Sequence, residues 1–396
     1  MKLYKNLVNA VALVLQDIFV DGVYADKAIE RKFKQNPQWG SRDRKFIAEA
    51  VYDIVRHYRL YEALAESKNN FWFMTAIWLI LKEIEMPEWP EFVHLDKNRV
   101  LKKFELFKKE KTIYLSYPDW LWKIISDEIG EQQWEKEANA MNVQADVFLR
   151  TNELKTSREK LKVDLLKEKI ETEEIKNVSE ALVLLKRQNV FKAKLFKEGL
   201  FEVQDSGSQL ISRFLNPNSK DLVIDACAGA GGKSLHMAAL MKNKGKIISL
   251  DVEGYKLEEL KRRAKRAGAS NIETRKIEEG KTIEALYNKA DRLLLDVPCS
   301  GLGVLKRNPD TKWKLSETKL IEVKKIQQNI LSQYSKMLKL NGLMVYSTCS
   351  LLPSENEKQV ENFLKANSNF EFVEQKTIWP SDGFDGFYMA LMKKVK

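Results

Sequence analysis

Residues 222–251 read LVIDACAGAGGKSLHMAALMKNKGKIISLD. Leu222–Asp225 is a short β-rich run, a glycine-dense turn follows, helical spacing begins at Lys233, and Lys246–Asp251 is a second β-rich run. Strand, turn, helix and strand in so short a span is the unit from which parallel sheets are built. Toward the C-terminus the rhythm continues with a helix over Lys256–Ala267, strands around Ile272 and over Arg292–Asp296, a long helix over Glu317–Leu338 and a strand over Leu343–Ser347. The predicted fold class is therefore α/β, a doubly wound, Rossmann-like parallel sheet. Ligands of such sheets bind beyond the carboxyl ends of the strands.

Toward the N-terminus the turn cluster Asn216-Pro217-Asn218-Ser219 closes this region. Residues 120–200 mix helical stretches with β-rich pieces at Val147–Arg150 and Ala181–Leu185, which predicts a small α+β connector. Before the restart at Tyr117-Pro118-Asp119-Trp120 the pattern is helical. Leu7, Val11, Val14 and Ile18 form one stripe, and Phe46, Ala50, Ile54 and His57 another. The expected division is 1–115 helical, 116–200 connector and 201–396 catalytic.

Of 396 residues, 44% are hydrophobic and 31% charged, with only 17 Gly and 9 Pro, so collagen-like and disordered classes are excluded. Lys and Arg number 67 against 56 acids, a net +11 that suits an anionic partner. The basic run Lys97–Lys111 reads as a solvated helix face or an RNA contact. The cysteines, Cys227, Cys299 and Cys349, are too few for a disulfide scaffold, which points to a reducing cytoplasm. Asn6, Asn9, Gln16 and Asp17 interrupt the first apolar stretch, arguing against a signal peptide. The apolar run Phe71–Leu81 falls short of the ~20 residues a membrane span needs. No heptads ask for a dimer, so a cytoplasmic monomer with no membrane partner is expected.

The turn Val223–Ser234 can be tested against two phosphate-binding patterns. A P-loop requires Gly where Cys227 stands, and a dinucleotide fingerprint begun at Gly229 requires Gly where Ser234 stands. Both fail. What remains is a glycine turn after a strand ending in Asp225, with Asp251 ending the next, placed to accept ribose hydroxyls of a nucleoside cofactor; an ordinary tight turn is the alternative. Two further strand ends carry thiols: Asp296 and Cys299 follow one strand, and Cys349 follows another. Either cysteine alone reads as a small buried hydrophobe, but both at adjacent catalytic edges beside an acid point to chemistry. The histidines, His57, His94 and His236, show no ligand spacing with them, so no metal is expected. Two thiols, an acid and a nucleoside cofactor suit methylation at carbon 5 of cytosine. There a thiolate adds to carbon 6, an acid steadies ring nitrogen 3, and a base removes the carbon-5 proton.

The motifs DACAGAGGKS (225–234), LLDVPCSGLGV (294–304), RNPDTKW (307–313), VYSTCSLLPSENE (345–357) and DGFDGFYMALM (382–392), in this order, resemble those of the Sun or RsmB-type RNA 5-methylcytosine methyltransferases. FEVQDSGSQL (201–210) resembles the segment leading into that domain, and 11–30 with 41–56 is similar to the NusB-like helical RNA-binding domain of members acting on 16S rRNA. The resemblance implies a methyltransferase domain with S-adenosylmethionine as cofactor and RNA, either 16S rRNA or a small-subunit assembly intermediate, as partner. It implies Cys349 as nucleophile, Cys299 as releasing base, Asp296 on ring nitrogen 3 and Lys233 beside it. For the cofactor it implies Cys227, Ala228, Gly229, Ala230, Gly231, Gly232 and Lys233 of the turn, with Asp251, Glu278 and Asp296. The family has Pro at the place of Ala230 and Asp at that of Glu278. Arg307 and Lys312 are candidate phosphate contacts, whereas the cluster Lys261–Arg266 reads as a solvated helix face. Because the base must be reached on its face, a single-stranded target is expected. Two rival readings stay open: a DNA cytosine methyltransferase using Cys299, and a non-catalytic RNA-binding assembly factor.

Overall fold

The computed structural model describes residues 3–278 and 281–396. Contacts divide the chain into two compact units, residues 1–144 with 305–315, and residues 145–304 with 316–396.

The first unit is all helical. Lys5–Phe19, Ser41–Arg56 and Phe71–Leu81 turn their apolar stripes onto a core that includes Val11, Leu15, Ile47, Ile54 and Ile77, all fully buried. The apolar run 71–81 is thus a core helix, and among the described residues no helix is long and apolar enough to cross a membrane. The basic run begins with the helix Lys97–Phe107, capped by the Asp96 carboxylate. Much of it is paired: Arg99 and Lys103 with Glu66, Lys108 with Glu105, and Lys111 with Glu135. Lys97, Lys102 and Lys109 have no acidic partner among the described residues.

Residues 305–315, although they follow the Cys299 loop in sequence, belong to this helical unit. Lys312 is therefore not the surface phosphate contact its position in the sequence suggested. It is 1% exposed, its ammonium donates to the Arg56 carbonyl at 2.8 Å, and it lies 3.9 Å from the centre of the Tyr117 ring. Burial drives its pKa well below the usual lysine range. Trp313 and Asp310 anchor the same segment, by an indole bond to the Val55 carbonyl and by accepting the Ala25 amide.

The second unit holds two sheets. Four strands, β1 (Phe148–Thr151), β2 (Thr172–Glu174), β3 (Ala181–Leu184) and β4 (Phe201–Val203), pair antiparallel in the order β2-β3-β1-β4 over a core of Leu149, Leu161, Leu182 and Phe201. The larger sheet has β5 (Leu222–Asp225), β6 (Lys246–Asp251), β7 (Ile272–Lys276), β8 (Ala290–Asp296), β9 (Leu338–Thr348), β10 (Phe370–Ile378) and β11 (Phe387–Lys394), in the order β10-β11-β9-β8-β5-β6-β7. From β9 to β7 the strands are parallel, while β10 and β11 pair antiparallel at the β9 edge. The predicted parallel sheet is present, with two strands beyond it that the alternating rhythm did not reach. The expected long helix stops at Tyr334, and β9 begins at Leu338. Strand order reverses between β5 and β8, which is where such sheets bind their ligands.

Candidate active site

Three strand ends meet at that reversal. The turn after β5 is shaped by Gly229 (φ +53°) and Gly231 (φ +84°), backbone conformations that favour glycine. At Gly231 a Cβ would also stand 2.3 Å from Leu260 Cγ. The turn is held from β6, where Asp251 accepts the Gly229 amide at 2.8 Å through one oxygen and the Glu253 amide at 2.8 Å through the other. The helix Gly232–Leu240 then starts with its amides facing the same space. Asp225, 1% exposed, accepts the Ser234 hydroxyl at 2.6 Å, while its Oδ1 is buried without a partner. Burial raises its pKa to about 7.

Side chains from the small sheet and the next helix brace this turn. Arg150 of β1 donates to the Gly232 carbonyl at 2.5 Å, and Arg263 to the Ala230 carbonyl at 2.7 Å. Arg263 and Arg266 both pair with Glu202 of β4, which is 4% exposed. The cluster 261–266 is thus only partly a solvated face: Lys261 and Arg262 pair with Glu258 and Glu259 at the surface, whereas Arg263 and Arg266 turn inward. The Ala230 carbonyl is thus tied by an arginine. Below, Glu180 accepts His236 Nε2 at 2.6 Å and Arg213 Nε at 2.6 Å; burial lowers the His236 pKa to about 4, so the neutral ring donates.

The chemistry-bearing residues converge at the ends of β8 and β9. Cys299 and Cys349 have their sulfurs 3.1 Å apart, and the Cys349 amide donates to Cys299 Sγ at 3.2 Å. The Cys299 thiol is pushed well above its usual pKa range, first by its hydrogen bond to Cys349 and then by burial. Asp296 accepts Lys233 Nζ at 2.5 Å through one oxygen and the Ser347 hydroxyl at 2.9 Å through the other. Burial alone would lower the Lys233 pKa, but Asp296 outweighs it and the ammonium is raised. The C-terminal motif closes the ring of loops: Gly386 donates to the Gly303 carbonyl and Gly303 to the Cys349 carbonyl, each at 2.8 Å.

Two predicted residues stand apart from this cluster. Cys227 lies in the glycine turn after β5, partly buried, with burial raising its pKa well above the usual range. Glu278 is exposed beyond β7, its amide bonded to Thr282 and its carboxylate without a hydrogen bond among the described residues. Glu355, Gln327, Arg150 and Glu202 were given no role in the sequence, although Glu202 and Glu355 lie inside quoted segments, and Arg263 was read only as part of a solvated helix face. Among the described residues no cluster of His, Cys, Asp and Glu could hold a metal.

A nucleoside cofactor fits the residues present. A Cβ at Gly229 would meet no atom within 4 Å, so the turn is open on that side. A carboxylate offers about four acceptor positions, and Asp251 has used one on each oxygen, leaving a pair for two hydroxyls.

Sheet order, glycine turn and strand-end acids define a Rossmann-like, S-adenosylmethionine-dependent methyltransferase. The family model for the 16S rRNA methyltransferase RsmB/F matches residues 212–393, and that for the ferredoxin-like domain of RsmF/B-like methyltransferases matches 117–191. The probable ribosomal RNA small subunit methyltransferase B of Synechocystis sp. is 29% identical, over 96% of this chain and 98% of its own. Ribosomal RNA small subunit methyltransferase B of Pasteurella multocida is 33% identical, over 75% of this chain and 71% of its own. A methyltransferase homolog of known structure from Pyrococcus horikoshii is 25% identical with a TM-score of 0.64, over 72% of this chain and 98% of that one. The chain belongs to the ribosomal RNA small subunit methyltransferase B family, and is an S-adenosylmethionine-dependent RNA methyltransferase.

Proposed function

We propose that the protein methylates carbon 5 of a cytosine in 16S rRNA through a covalent cysteine adduct. The observation that carries this reading is the pair of thiols 3.1 Å apart beside the Lys233–Asp296 ion pair. Carbon 5 of cytosine is a weak nucleophile, and thiolate addition at carbon 6 makes it enamine-like. Cys349 is the nucleophile. The two sulfurs share a hydrogen bond, in which Cys299 holds the proton while Cys349 attacks. Once Cys349 is consumed in the C–S bond, its hydrogen bond to Cys299 is gone. Cys299 then gives its proton up to solvent and takes the carbon-5 proton, which expels Cys349.

Asp296 faces ring nitrogen 3, which takes a proton from solvent as addition pushes electron density onto the ring and then donates to Asp296, while the Lys233 ammonium on its other side balances the carboxylate. Ser347 fixes the second Asp296 oxygen. S-adenosylmethionine supplies the methyl group when bound. Residues Cys227 to Lys233 would hold it, with Asp251 on the ribose and Glu278 and Asp296 completing the set of acids. We assign RNA docking to the helical region 1–115, with 116–200 as the connector, and catalysis to 201–396, in a monomer working in the cytoplasm on rRNA or a small-subunit intermediate. The test is nucleoside analysis of small-subunit rRNA after incubation with protein and S-adenosylmethionine. 5-Methylcytidine is expected; a different methylated nucleoside would overturn the reading.

A further inference from the structure

Glu355 has no part in the chemistry above, yet its side chain is fully buried between the two loops that carry the thiols. Its Oε2 accepts the Ser300 amide at 2.8 Å and Gln327 Nε2 at 2.9 Å, and its Oε1 accepts the Ser350 hydroxyl at 2.5 Å. Ser300 and Ser350 each directly follow a cysteine, and their hydroxyls meet at 3.0 Å. Gln327, from the helix Glu317–Tyr334, also donates to the carbonyl of Pro298, the residue before Cys299, at 3.0 Å. The Glu355 backbone carbonyl accepts the Tyr346 hydroxyl at 2.6 Å, tying the same corner to β9.

Three side-chain bonds accepted and none given is the pattern of an ionised carboxylate. Burying such a group is expensive unless its oxygens are met by donors, and bonds to a charged acceptor are the stronger kind. A carboxylate kept only to fasten a loop could be tied anywhere along it. Here two of the three bonds land on the residue that directly follows a cysteine.

We infer that Glu355 is the positioning residue of the two-thiol centre, holding the Cys299 and Cys349 loops in a single register so that the sulfurs remain within hydrogen-bond distance. The inference rests on the reading that both cysteines act in the reaction. Misplacement of a reacting group by about 1 Å can lower a rate about a hundredfold, so a bridge this close to both sulfurs has kinetic weight. A glutamine at this position keeps the shape but replaces one acceptor by an N–H₂ group, which then faces the Ser300 amide and Gln327 donors or the Ser350 hydroxyl.

The test uses phenylarsine oxide, which binds tightly only where two thiols can reach one arsenic, alongside steady-state kinetics on small-subunit rRNA. Wild type should take up one arsenical, and Cys349→Ala none. Glu355→Gln should bind it at least tenfold more weakly and lower kcat about a hundredfold, with KM for RNA and S-adenosylmethionine unchanged. Ser350→Ala, which removes one strut, should move both readouts the same way by a smaller factor, and it carries the test if Glu355→Gln does not fold. Wild-type arsenical binding in both folded variants would overturn the inference. Weakened arsenical binding with unchanged methyl transfer would uphold the positioning role and overturn the two-thiol mechanism instead.

Discussion

Asp225→Asn should change from destabilising to nearly neutral as the pH crosses the neutral range. In the wild type Asp225 is 1% exposed, and burial raises its pKa from 3.8 to about 7. The folded state therefore holds this proton more tightly than the unfolded chain does. The contribution of Asp225 to stability is fully present below 3.8 and is lost as the pH rises through about 7. Between about pH 5 and about pH 8.5 the loss amounts to about 3 kcal/mol. Asparagine cannot ionise, but its amide group leaves N–H donors buried where Oδ1 now has no partner, a penalty of about 1–3 kcal/mol at every pH. The variant should be less stable by that amount near pH 5 and should equal or exceed wild type near pH 8.5. Thermal unfolding followed by circular dichroism at both values gives the double difference, in which the other titrating groups cancel. At ~2–4 °C per kcal/mol, the gap in Tm should close by roughly 6–12 °C. A gap that stays constant with pH would refute the burial argument.

Gly231→Ala forces a side chain into φ +84° and onto Leu260, which should cost about 2–4 kcal/mol in a denaturant titration; wild-type stability would contradict the described turn. Arg263→Met frees the Ala230 carbonyl and leaves Glu202 with Arg266 alone, so calorimetric affinity for S-adenosylhomocysteine should fall about tenfold, with an unchanged value counting against the brace. Lys312→Met should leave the salt dependence of RNA binding untouched because the amine is buried and spent on the Arg56 carbonyl. A log–log slope smaller by about 1 would show instead that Lys312 meets a phosphate.

The residues 222–251 carried most of the catalytic fold because strand and helix periods are local, and one hydrogen-bonded β5–β6 unit spans them. β10 was out of reach for the same reason: FEFVEQKTI is exposed over most of its length, and only pairing with β11 makes it a strand. The thiols and Asp296 were legible because each lies at or just past the end of a strand. Their supports were not, since Glu355 reaches Ser300 across 55 residues and Glu202 reaches Arg263 across 61, separations that no local pattern reports. Arg263 and Arg266, three apart on one helix, share the inward face that their neighbours Lys261 and Arg262 do not. Lys312 misled because sequence proximity to Cys299 suggested a place by the substrate, whereas residues 305–315 fold into the helical unit.

The central claim is that Cys349 attacks the base and Cys299 releases it. Cys299→Ala and Cys349→Ala, each incubated with small-subunit rRNA and S-adenosylmethionine, should be resolved on a denaturing gel that preserves covalent protein–RNA adducts. An adduct should accumulate with Cys299→Ala and be absent with Cys349→Ala. An adduct that persists in Cys349→Ala and vanishes in Cys299→Ala would exchange the two roles and contradict the claim.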